Sequence, residues 1–112
     1  MITVHIESGA CGFISVLRAH RIHKKSVGIA IKSKCTQVVQ FGTALQRMSS
    51  EDIVKTPLHK NRVYEKAGKC GLHPECPVPC GVIKAAEAEL GMTPTRDVTI
   101  AFQNGNEART HA

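Results

Sequence analysis

Apolar residues recur at every second position near the start of the chain and at every third or fourth further on, and this change of period most restricts the fold. Ile2, Val4 and Ile6 alternate with Thr3, His5 and Glu7, as in a strand with one buried face. Ser8 to Gly12 then supplies small, turn-prone residues around Cys11. Phe13 to Ile22 is rich in β-forming residues and meets Val27 to Lys32 across the polar stretch His23 to Ser26. That pattern predicts a hairpin whose second arm sets Val27, Ile29 and Ile31 on one face. From Ser33 the period changes, and Val38, Phe41, Leu45 and Met48 are spaced as a helical stripe.

Ser49 to Asp52 reads as a helix stop followed by a newly capped turn, which Thr56 and Pro57 break. Asn61 to Gly68 predicts a short helix ended by Gly68, and Gly71 to Pro79 a loop stiffened by Pro74, Pro77 and Pro79. From Pro79, a longer helix carries Val82, Ile83, Ala86 and Leu90 on one side, with Gly91 just beyond its end. Asp97 to Phe102 alternates again and predicts a final strand with Val98, Ile100 and Phe102 inward. The expected architecture is α+β, a two-layer sandwich of about four strands with helices on one face. With 112 residues there is no room for a second core, so residues 1–103 are expected to form one domain and 104–112 a polar, mobile tail.

Several functions are disfavoured at once. No apolar run approaches the ~18 residues of a membrane-spanning helix, and the alternating start is unlike a signal peptide, so a soluble cytoplasmic protein is expected. Aromatic residues make up only 4% of the chain, too few for the stacking rows of single-strand nucleic-acid platforms. The net charge of +6 is partly gathered in Arg18, His20, Arg21, His23, Lys24 and Lys25, a basic hairpin that could meet phosphate, RNA or an acidic redox partner. A solvated hairpin tip is the simpler reading of that cluster.

Five cysteines are the anomaly in an intracellular chain, because reducing compartments leave cysteine for metals, clusters or sulfur chemistry. Cys11 and Cys35 each follow a predicted strand. Cys76 lies just before a helix start, among prolines that fix its backbone, where free amides favour a thiolate. If these segments share one edge of the sheet, Cys11, Cys35 and Cys76 converge. The fourth position of such a site is then open, or filled by His73, Cys80 or Cys70. The spacings match neither a zinc ribbon nor a ferredoxin run. A Cys76 hydrolase lacks an identifiable third group to orient His73.

Gly9-Ala10-Cys11-Gly12-Phe13, Ser33-Lys34-Cys35 and His73-Pro74-Glu75-Cys76-Pro77-Val78-Pro79 add a further clue. With Ile83-Lys84-Ala85 and Glu87 they resemble an uncharacterised family of small proteins from methanogens and anaerobic bacteria. The resemblance implies that Cys11, Cys35 and Cys76 form one site, with an iron–sulfur cluster or another metal as its occupant. Cys70 and Cys80 fall outside that pattern. Cys76-Pro77-Val78-Pro79 also resembles the CPxP motif of TusA/SirA-type sulfur carriers, though in those it follows the first strand.

The leading expectation is therefore a small metal-binding protein, with an iron–sulfur cluster, or zinc if one ion is held, serving electron transfer or cluster handling with a protein partner. A persulfide carrier acting through Cys76 and a binding module built on the basic hairpin are the alternatives.

Overall fold

A computed structural model describes residues 1–54 and 56–103. The chain opens with β1 (Ile2–Glu7), a 3-10 turn at Gly9–Cys11, β2 (Ile14–His23) and β3 (Ser26–Ser33). Then come α1 (Thr36–Ala44), the short β4 (Met48–Ser49) and α2 (Ser50–Val54). A second 3-10 turn at Leu58–Lys60 leads to α3 (Arg62–Lys69) and α4 (Val78–Glu89). The sheet runs β1-β2-β3-β4 with every pairing antiparallel. The fold is α+β, as the change of period predicts.

Strand alternation decides what the sheet buries. Ile6, Leu17, Ala19, Val27 and Ile29 point into the core with Val38 and Phe41 of α1 and Val78, Val82, Ala85 and Ala86 of α4. The opposite face carries Thr3, His5, Arg18, His20, Ala30 and Lys32, all exposed. Phe41, Leu17 and Leu45 are fully enclosed, each worth about 1.5–3 kcal/mol of burial. α4 comes unusually close to the sheet at Gly81. A β-carbon there would press on the movable end of the Ile6 side chain, and anything larger would meet the sheet.

Helix ends follow local chemistry. Ser49 and Asp52 form a reciprocal cap at the start of α2: the Asp52 amide donates to Ser49 Oγ, and the Ser49 amide to Asp52 Oδ2. Asn61 caps α3 by accepting from the Val63 amide while its own amide donates to the Ile53 carbonyl.

Three expectations are corrected. The helix begun at Asn61 continues through Gly68 to Lys69 and stops at Gly71, whose φ of 75° supports bonds from Gly71 N–H to Gly68 O and Leu72 N–H to Ala67 O. Met48 is buried as expected, but in β4 opposite Val27, because α1 ends at Ala44. The fourth strand is thus Met48–Ser49, and Asp97 to Phe102 is not a strand. After α4 the chain stops at Gly91 (φ 75°), with Gly91 N–H to Ala88 O and Met92 N–H to Glu87 O. A turn then closes from Arg96 N–H to Pro94 O, and the segment beyond it has no sheet neighbour among the described residues. The expected tail, residues 104–112, lies outside the described residues. No helix among them is long and apolar enough to cross a membrane.

Candidate metal centre

β1 and β3 both run antiparallel to β2, so their C-terminal ends emerge at the same edge of the sheet. The chain leaves β1 into the turn bearing Cys11, which closes on Ser8 N–H to Phe13 O at 3.0 Å and Gly12 N–H to Gly9 O at 2.8 Å. It leaves β3 at Ser33 and reaches Cys35, the residue that caps α1. The buried Ser15 hydroxyl donates to Ser33 Oγ at 3.0 Å, and the Cys35 amide donates to the same oxygen at 3.1 Å. Two neighbouring strands thereby fix the start of α1.

The third approach comes from α4, whose close seat at Gly81 brings its first turn over the same edge. Cys76 lies two residues before that helix, with its amide donating to the His73 carbonyl at 3.0 Å. Gln37 of α1 crosses to this loop: Nε2 donates to the Gly71 carbonyl at 3.1 Å, and Cys35 Sγ donates to Oε1 at 4.0 Å.

The three cysteines, distant along the chain, line one cavity of about 100 Å3 together with His73, Glu75 and Phe13. Cys11 is exposed, and Cys35 and Cys76 are half-buried. Burial pushes the Cys76 thiol above its ordinary value, the Val78 amide draws it down, and Cys11 and Cys35 raise it again.

Among the described residues, no group of three or more His, Cys, Asp or Glu stands close enough together to hold a single metal ion. Cys80 faces elsewhere: it is exposed, does not line the cavity, and its charge raises Tyr64 after burial has done so. Cys70 is half-buried against the core at the end of α3. The basic hairpin residues Arg18, His20, Arg21, His23, Lys24 and Lys25 are all exposed. Gln37 is the residue that sequence reasoning missed, since nothing in the pattern ties it to a loop 34 positions away.

The model of a family of unknown function matches residues 2–102. No curated protein and no solved structure matches the chain.

Proposed function

The chain belongs to a family of unknown function (DUF6951), and we propose that it binds an iron–sulfur cluster through Cys11, Cys35 and Cys76. The observation that carries this reading is the shared cavity of three thiols drawn from three separate segments. Thiolates are the usual protein ligands of such clusters. Three thiols in one cavity supply the donor type a cluster takes, and zinc is the alternative if His73 completes a four-ligand site. His73 lines the same cavity and stands as the fourth donor; without it the fourth position is open to exchange.

The bound cluster would supply one-electron chemistry or a transferable iron–sulfur unit. The protein's own contribution is orientation. Ser33 holds Cys35, and Gln37 ties α1 to the Cys76 loop. The exposed Cys11 places the site at the surface, where a redox or cluster-transfer partner can approach. The persulfide reading ranks lower because the CPxP likeness covers only Cys76 to Pro79, late in this chain, whereas in the sulfur carriers the motif follows the first strand.

Anaerobically purified protein should be brown and contain iron and sulfide, and Cys11→Ser, Cys35→Ser or Cys76→Ser should each abolish both. Colourless protein free of iron and sulfide overturns the proposal. A mass gain of ~32 Da on Cys76, insensitive to Cys11→Ser, would instead establish the sulfur carrier.

A further inference from the structure

Residues 97–102 are where sequence pattern and structure part most sharply. Val98, Ile100 and Phe102 alternate as a half-buried strand requires, yet they stand 63%, 90% and 98% exposed. Asp97, Thr99 and Ala101 lie between them, which completes the pattern of a strand without a sheet.

The sheet has a matching vacancy. β1 forms one end of it, and among the described residues no strand pairs with its outer edge. An open edge presents unpaired amides and carbonyls that template a further strand. Ile2 and Val4, on the helix-covered side of that edge, are only partly buried. Apolar surface therefore adjoins the unpaired backbone.

The segment does not lie on its own β1. The stop at Gly91 and the Pro94–Arg96 turn send it outward, and the molecule measures 49 × 29 × 25 Å. We propose that residues 97–102 of one copy add as a strand to the β1 edge of a second copy, and that the exchange is reciprocal. The product is a closed two-fold dimer held by strand addition. Val98, Ile100 and Phe102 extend the row of Ile2, Val4 and Ile6, while Asp97, Thr99 and Ala101 join Thr3, His5 and Glu7. The Phe102 side chain alone can bury about 150–250 Å2, and two reciprocal arms, each setting three exposed apolar side chains against the partly buried Ile2 and Val4, build toward the roughly 1,200–2,000 Å2 of a stable interface.

Sedimentation of the full chain, metal-free and with its thiols reduced, tests this independently of the cysteine site. The expected mass is twice 12.1 kDa. Ile100→Glu combined with Phe102→Glu should weaken the dimer at least about 100-fold while far-ultraviolet dichroism stays unchanged, because both side chains lie outside the core. Hydrogen exchange should show β1 amides protected in the dimer and exposed in that variant. A monomeric wild-type chain, with its arm free or folded onto its own β1, overturns the proposal. So does a dimer that the double substitution leaves intact.

Discussion

The two ends of α4 meet the sheet in opposite ways. At its start, Val78, Pro79, Gly81 and Val82 are all buried, and the helix is seated by shape against Ile6 and Leu17. At its finish, Glu87, Ala88, Glu89 and Leu90 are only half-buried, and polar ties do the holding. Glu89 Oε2 accepts the Arg21 amide at 2.8 Å, and Oε1 lies 3.3 Å from the amino group of Met1. The packed end follows directly on Cys76, which under the proposed function must hold its place beside Cys11 and Cys35. Close packing suits that task because it is stiff and indifferent to pH and salt. The polar end bears no such group and meets solvent.

The largest test of this contrast is a change of volume at Gly81. Ala should be nearly neutral: its β-carbon collides with the end of the Ile6 side chain, which can swing, and the helix gains about 1 kcal/mol of propensity. Val adds two methyl groups on the sheet side and should cost about 3 kcal/mol. The Val variant should melt more than ten degrees lower, at about 4–8 °C per kcal/mol, and should retain less iron in anaerobic preparations. Equal melting temperatures for Val and Gly would show that α4 is not seated by fit at this end.

Gln37→Ala probes the same end with a smaller effect. It removes the bond from α1 to Gly71 but leaves all three thiols. Iron retention against a chelator should fall about 10-fold, with melting temperature of the metal-free protein lowered by only a few degrees. Unchanged retention would mean that the Cys76 loop holds its position without α1.

Much of this arrangement is legible from residue order. The alternation of Ile2, Val4 and Ile6 and of Val27, Ile29 and Ile31 sets the strands, and two strands antiparallel to a common neighbour must end at one edge. That Cys11 and Cys35 share this edge was not legible, because it depends on β1 and β3 pairing with the same strand, which the structure alone shows. Met48 was harder, because its spacing from Leu45 suits a helix equally well and only its pairing with Val27 assigns it to β4. Asp97 to Phe102 carries a strand's pattern without a partner in its own sheet, and periodicity reports which face is apolar, not which chain covers it. Gln37 was invisible because its bond depends on tertiary approach alone.

The ionisation of Cys76 sharpens the packed end further. Its alkylation rate in metal-free protein should rise with a midpoint above the ordinary thiol value of 9.0, because burial and the charges of Cys11 and Cys35 oppose ionisation. Cys35→Ser should move that midpoint down, since one repelling charge is gone. A midpoint unmoved by substitution at both Cys11 and Cys35 would mean that the sulfurs are further apart in solution.

The smallest effect belongs to the polar end. The Arg21 amide, with the Met1 amino group adding to it, holds the Glu89 carboxyl below its ordinary value of 4.5. A folded value below the unfolded one means that the ionised form stabilises the fold. That contribution is fully present above about pH 4.5 and is lost as pH falls through the folded value. Glu89→Gln keeps an acceptor for Arg21 N–H and removes only the charge, so the loss at pH 7 should be under about 1 kcal/mol, a few degrees of melting temperature. The gap between wild type and variant should close as the pH is lowered and narrow in high salt. The deficit of Gly81→Val should persist under both treatments, because a steric misfit has no proton to gain and no field to screen.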